Sequence, residues 1–379
     1  MLYLWLTWLV SPLLRLLAGR APALPQRILV IQMAKIGDLL CATPVFREIR
    51  RSYPSVHLSV MATRQNAELL RVNPHVNEVV QAAGSDFRGL SGKVRLVRLL
   101  HRGRYDCVLH LNAGAAYAVA SLWALIPLRF AVQSNFGGAS HRLAARLWTA
   151  VEKHRGERLI QETYLALLER MGVVGGCVDK EAFAVAGAEA RVDAVLGLSR
   201  EPMLIGIGVS SANRLKALGS VKIEAIAGQL LLAQPGARIV LVGSHEDSAQ
   251  AALMVRALPH GSVITACGAL SLAELPALLK RLALFVGVDS GITYMADAVG
   301  TPVVSVAGPC NMLETRPLGR AVVILQRDDL PCAPCAHIFN APYTCRVGTR
   351  ACVEEIPAGE IVAAALAMLR RHSDGKAQC

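Results

Sequence analysis

An α/β fold in two halves, each built around a parallel sheet, is predicted by three features of the chain. Short apolar, β-branched runs recur between helical stretches, the alternation begins afresh near Met203, and a Gly- and Ala-rich segment separates the halves. In the first half, strands are expected at Arg27–Gln32, Val56–Met61, Glu78–Gln81, Asp106–Leu111 and Leu128–Val132, with an amphipathic helix at Arg158–Met171. Gly172–Ala190 is the separating segment. In the second half, strands are expected at Met203–Gly208, Arg238–Val242 and Ser262–Thr265, and helices at Ile223–Gln234, Asp247–Leu258 and Leu272–Lys280. The division that follows is an apolar N-terminal segment over residues 1–24, a first domain over 25–185 and a second over 186–379. A chain of 379 residues is long enough for two cores, and 53% apolar against 18% charged residues excludes a disordered protein.

The chemistry concentrates in two turns. Leu284–Val288 reads as a buried strand, Ile292–Val299 as the helix after it, and Gly300-Thr301-Pro302 as its stop before another strand at Val303–Val306. Asp289-Ser290-Gly291 then falls at the carboxyl end of a parallel strand, where ligands of open α/β sheets bind and helix N–H groups meet phosphate. An Asp there can hold a sugar hydroxyl, and a Gly allows close backbone approach. The competing reading makes Asp289 and Ser290 ordinary cap residues. Gly37-Asp38 occupies the corresponding turn after Arg27–Gln32, ahead of a helix marked by Leu39, Leu40, Val45 and Ile49. Pro44 either kinks that helix or, with Thr43 as cap, begins its regular part. An acid at the mouth of one domain and a phosphate-type turn in the other describe a two-domain cleft enzyme.

With those residues in view, the chain resembles glycosyltransferase family 9, the ADP-heptose:lipopolysaccharide heptosyltransferases. Ile28–Pro54 (ILVIQMAKIGDLLCATPVFREIRRSYP) and Phe285–Asn311 (FVGVDSGITYMADAVGTPVVSVAGPCN) carry the resemblance. Tyr105–Gly114 (YDCVLHLNAG) and Ile239–Ala251 (IVLVGSHEDSAQA) match the same pattern in the same order. The resemblance implies the GT-B architecture, two Rossmann-like domains facing each other across a cleft. It also implies an inverting transfer of heptose from ADP-heptose to an acceptor hydroxyl of the lipopolysaccharide inner core, with no cofactor required for catalysis. Asp38 then stands as the base. Lys216, with Ser210 and Ser211 near it, matches the diphosphate contacts, Glu246 the ribose contact, and Asp289, Ser290 and Gly291 the diphosphate and heptose contacts. Ala217-Leu218 departs from the aromatic residue and Pro usual after that Lys, so Lys222 competes with Lys216. Tyr294 stands where the heptosyltransferases often carry His, which leaves open a family member using another nucleotide sugar or a non-lipopolysaccharide acceptor. A non-catalytic sugar-nucleotide binding protein is the remaining alternative, and Asp38 argues against it. A nicotinamide dehydrogenase is excluded, because Gly206-Ile207-Gly208-Val209-Ser210-Ser211 lacks the third Gly of a dinucleotide turn.

The partners implied are a nucleotide-diphosphate sugar donor and an anionic, lipid-linked glycan acceptor. The formal net charge is +12, and Arg-rich stretches occur at Arg47–Arg51, Arg88–Arg104 and His141–Arg158. That charge suits an anionic lipid or acceptor equally well as a basic soluble enzyme. Nucleic acid is disfavoured, since no aromatic residues interleave with the basic runs. Met1–Leu14 is uncharged, holds Tyr3, Trp5 and Trp8, and is followed by Arg15, Arg20 and Arg27. The apolar run reaches about Leu17 with Pro12 inside it, against the roughly 20 apolar residues of a full spanning helix. A helix lying in the interface fits it best, on the cytoplasmic, inner face of a bacterial inner membrane, with a spanning helix and a packing helix as the alternatives. Four of ten cysteines cluster as Cys332, Cys335, Cys345 and Cys352, a spacing that suits a structural zinc or iron site or, alternatively, reduced thiols in a packed loop. Cys41, Cys107, Cys177, Cys267 and Cys310 are expected as apolar filler.

Overall fold

In the computed structural model, residues 2–112, 114–198 and 202–376 are described, and they divide into two compact units, Met1–Val178 and Asp179–Cys379. Met1 and Ala113, in stretches discussed above, lie outside the described residues. The boundary falls earlier than the expected 185/186. Lys180 is buried on Asp297, and the N–H of Val185 bonds the Ala273 carbonyl at 2.9 Å, so the segment after Val178 is fastened to the second unit.

The first unit carries β1 (Arg27–Ile31), β2 (His57–Ala62), β3 (Glu78–Gln81), β4 (Cys107–His110), β5 (Leu128–Gln133) and β6 (Ala150–Lys153) in a six-stranded sheet of order β3-β2-β1-β4-β5-β6. The second carries β7 (Met203–Gly208), β8 (Ala237–Val242), β9 (Val263–Thr265), β10 (Leu284–Val288), β11 (Val303–Val306) and β12 (Val322–Leu325), ordered β12-β11-β10-β7-β8-β9. All the strand pairings are parallel. Buried on both faces, the central strands need no polar alternation, which is why β1, β4 and β10 read as continuous apolar runs. The sequence reading lacks β6 and β12. Both are half-exposed edge strands, and the Glu and Lys of β6 hide it from an apolar-run criterion.

The core of the second unit is finished by the helix Ala358–Lys376, whose Ile361, Ala365, Met368 and Leu369 recur on one face and join Ile223, Ile226 and Leu230 of the helix Ser220–Ala233. Among the described residues, two helices carry proline in their interior, and each solves the loss in the same way. Pro44 leaves the Leu40 carbonyl without its helical donor, and the Thr43 hydroxyl bonds it at 2.8 Å, so Ile36–Ser52 remains one helix. In the N-terminal helix Leu2–Leu17, Pro12 frees the Trp8 carbonyl and Ser11 takes it at 2.8 Å. That helix is part of the first unit's packing. Leu4 and Leu14 join a core cluster with Ala118 and Leu122 of the helix Ala115–Trp123.

Candidate functional site

In each sheet the connections leave the first strand in opposite directions, and the crevice between the diverging strands is where α/β folds bind ligands. In the second unit the divergence lies between β7 and β10. The turn after β7 presents Lys216 and the turn after β10 presents Asp289, and their charged ends bond directly. Tyr294, one turn into the helix Gly291–Ala298, donates its hydroxyl to the other Asp289 oxygen. The Cys310 thiol, in the turn after β11, lies beside the same ion pair. Burial alone drives the Lys216 ammonium toward neutrality, but the adjacent Asp289 carboxylate outweighs it and holds the ammonium well above its ordinary range. Burial likewise pushes Asp289 up, and Lys216 brings it below the usual carboxylate value. A fixed cation is therefore poised at a helix N-terminus, where N–H groups add positive potential.

The local structure explains how these side chains are held. Asn213 accepts the Leu215 N–H at 3.2 Å to start the short turn Arg214–Lys216, and its amide donates to the Pro342 carbonyl at 2.9 Å. Gly287 in β10 is a required close approach, since a Cβ there would lie 2.7 Å from the Thr293 hydroxyl, which itself anchors the helix on the Val288 carbonyl. Ser290 caps that helix by accepting the Thr293 N–H at 3.4 Å, so the cap reading holds for its side chain. Gly300, with φ of 81°, ends the helix as expected. Lys180 donates to Asp297 at 3.0 Å and lies 5.0 Å from the Tyr294 ring, bracing the tyrosine from behind.

Lys222 is occupied elsewhere. Its ammonium donates to the carbonyls of Val353, Glu354 and Ile356 at 2.8, 2.9 and 3.0 Å, which leaves Lys216 as the lysine at the Asp289 turn. Ser210 and Ser211 are half-buried in the same turn, and the Ser211 hydroxyl accepts the Asn213 N–H at 3.5 Å. Glu246 is exposed in the turn after β8, where Asp247 accepts the Ser244 N–H and hydroxyl at 2.7 and 2.8 Å. Cys310 is a correction to the filler reading, because its position after β11 puts a thiol against charged groups. Its burial and the neighbouring Asp289 keep the thiol strongly protonated. Cys177, exposed, is not filler either.

Cys332, Cys335, Cys345 and Cys352 all line one cavity of about 30 Å³ behind Leu215 and Pro309. Backbone N–H groups, first that of Arg350, lower the Cys345 thiol, whereas burial raises Cys335 and Cys352. Among the described residues, however, no group of three or more His, Cys, Asp or Glu side chains is arranged to hold a metal ion. The zinc or iron expectation finds no support in this geometry.

In the first unit the divergence lies between β1 and β4. Asp38 sits in the first turn of Ile36–Ser52, half-buried, with one carboxylate oxygen accepting the Lys35 N–H at 3.1 Å. Gln32, at the end of β1, donates to the Asp38 carbonyl at 3.3 Å and to the Tyr164 hydroxyl at 3.4 Å, fixing the turn from below. At the end of β4, His110 is fully buried against Tyr117 (ring centroids 4.4 Å apart), and its Nε2 has no hydrogen-bond partner. Burial lowers its pKa to about 3 from the ordinary 6.5, so it stays neutral where the unfolded chain would be protonated. Because the unfolded state binds the extra proton, stability falls as pH drops from about 6.5 toward 3, by up to about 1.4 kcal/mol per pH unit from this group. His110→Gln should flatten that slope in denaturant titrations at neutral and mildly acidic pH, and an unchanged slope would acquit His110.

Residues 93–342, more than half of the chain, match the family described as glycosyltransferase family 9 (heptosyltransferase). Lipopolysaccharide heptosyltransferase 3 of Escherichia coli K12 is 23% identical over 337 residues, covering 86% of this chain and 94% of its own. The structure of E. coli ADP-heptose lps heptosyltransferase II superposes with a TM-score of 0.72 at 21% identity, covering 92% of this chain and 99% of its own. E. coli heptosyltransferase WaaC with ADP-2-deoxy-2-fluoro heptose superposes with a TM-score of 0.63 at 17% identity, covering 90% and 99%. Two parallel six-stranded sheets agree with that match: the chain belongs to glycosyltransferase family 9.

Proposed function

We propose that the chain transfers heptose from ADP-heptose to a hydroxyl of the lipopolysaccharide inner core, with inversion at the anomeric carbon. The observation that carries this reading is the Lys216–Asp289 pair at the N-terminus of Gly291–Ala298 in a family 9 chain. Asp289 keeps Lys216 charged and in place, and Lys216 together with the helix N–H groups receives the diphosphate. The acceptor hydroxyl attacks the anomeric carbon, the carbon–oxygen bond to the diphosphate breaks, and ADP leaves from the opposite face. Asp38 takes the hydroxyl proton as the bond forms. Glu246 on the turn after β8 contacts the ribose, and Ser210 and Ser211 line the phosphate side. Placement of the two units across a cleft, as the resemblance implied, belongs to this proposal.

The acceptor is carried by lipid, and we place the protein peripherally on the inner face of the inner membrane. Among the described residues no helix is long and apolar enough to cross a bilayer. The helix Leu2–Leu17 nevertheless exposes Trp5, Leu6, Trp8, Leu9, Leu13, Leu16 and Leu17, which supports an interfacial position.

The Tyr294 hydroxyl, committed to Asp289, favours keeping one other reading in the test, a different nucleotide sugar. Incubation with ADP-, UDP-, GDP- and CMP-linked sugars and a soluble inner-core fragment should release ADP, from ADP-heptose, far faster than any other nucleotide. Preferential release of UDP, GDP or CMP would overturn the donor assignment.

A further inference from the structure

The N-terminal helix is reversed relative to a surface helix of a water-soluble protein. Its buried positions are Leu4, Thr7, Ser11 and Leu14, so two of the four inward residues are hydroxyls, while large apolar side chains face outward. Both hydroxyls are satisfied within the fold, Thr7 by the Trp123 indole N–H at 3.0 Å and Ser11 on the Trp8 carbonyl. Leu9 at 72% and Leu16 at 77% exposure would lose favourable free energy in water at every moment.

Immediately after this helix the chain borders a concavity of about 690 Å³, lined among others by Arg20, His101, Arg102 and Arg104. Its one carboxylate, Asp106, is already engaged, accepting the N–H groups of Gln26 and Arg27 at 2.7 and 2.9 Å. The three arginines make no ion pair among the described residues. The wall is also conformationally unusual. Arg104 and Leu125, with φ of 49° and 59°, are two of the three non-glycine residues of the described chain with left-handed backbone, and both line this concavity. Such conformations cost free energy and concentrate where a ligand is held.

We propose that this concavity binds the phosphate headgroup of an anionic phospholipid while the helix Leu2–Leu17 lies in the same bilayer surface. Guanidinium groups match phosphate oxygens in pairs, and the ligand's apolar remainder continues onto the exposed face of the helix. A free phosphate would need the arginines alone. A lipid needs both features, and the chain places them side by side. The proposal rests on the peripheral membrane position argued above and adds to it a headgroup site.

The test sediments full-length protein with vesicles of phosphatidylcholine alone and of phosphatidylcholine mixed with phosphatidylglycerol. Wild type should bind both, with an affinity gain of about tenfold or more from phosphatidylglycerol. Arg102→Gln with Arg104→Gln, and separately Arg20→Gln on the connecting segment, should lose most of that gain and keep binding to phosphatidylcholine. Donor-dependent ADP release on a soluble acceptor should be unchanged, which also certifies the fold. Trp5→Ser with Leu9→Ser should lose binding to both vesicles; if it binds both like wild type, the membrane position itself fails. Arginine variants that retain the full phosphatidylglycerol gain would overturn the headgroup site alone. Inorganic phosphate should release wild type from the mixed vesicles better than chloride at equal ionic strength. Tight phosphate binding by thermal shift without any phosphatidylglycerol gain would make this a soluble-anion site and overturn the lipid assignment.

Discussion

Asp38→Asn is expected to leave the fold and donor affinity in place and to lower turnover by about 10²–10⁴-fold, the usual contribution of a general base. Asparagine is the right replacement because Asp38 has a second job. One of its oxygens accepts the Lys35 N–H at 3.1 Å at the start of the helix Ile36–Ser52, and an amide oxygen can still do so. Alanine would also remove the cap, at about 0.5–2 kcal/mol, and mix stability with catalysis. Calorimetric donor binding and steady-state ADP release separate the two effects. Turnover near wild type would take Asp38 out of the reaction and leave it as a cap.

Lys216→Ala is expected to weaken donor binding about 10- to 100-fold, since a hydrogen bond to a charged group contributes about 1.5–3 kcal/mol. The same change strands the Asp289 carboxylate in a buried site, and breaking such a pair from one side typically costs about 3–5 kcal/mol of stability. Asp289→Ala strands the Lys216 ammonium in the mirror fashion and removes the partner of the Tyr294 hydroxyl. Lys222→Ala provides the contrast. It deletes three bonds to the carbonyls of Val353, Glu354 and Ile356, so stability should fall while donor affinity holds. A silent Lys216→Ala beside a Lys222→Ala that abolishes donor binding would reverse the assignment.

The local pattern of the sequence determined most of the scaffold. A short β-branched run, a small or acidic turn and an apolar helix act over a few residues, so β1 with Asp38 and β10 with Asp289 were legible, as was the stop at Gly300. The edge strand β6 escaped because its half-exposed backbone tolerates Glu152 and Lys153, whereas the edge strands β3 and β9 were legible. Only the tertiary structure shows Lys216 bonded to Asp289 and Lys222 to the turn after Val353, because each lysine's partner comes from a distant segment. The same holds for Cys310 and Lys180. A thiol beside a carboxylate and an ammonium beneath a tyrosine ring are products of strand order, which no local spacing encodes. The N-terminal helix shows both limits together. Its apolar composition was plain, but that it turns Thr7 and Ser11 inward with Leu4 and Leu14, and leaves Leu6, Leu9, Leu13, Leu16 and Leu17 outward, depends on the helix Ala115–Trp123 that it packs against. Periodicity reveals a face; the partner that buries it, or leaves it bare, is decided by the fold.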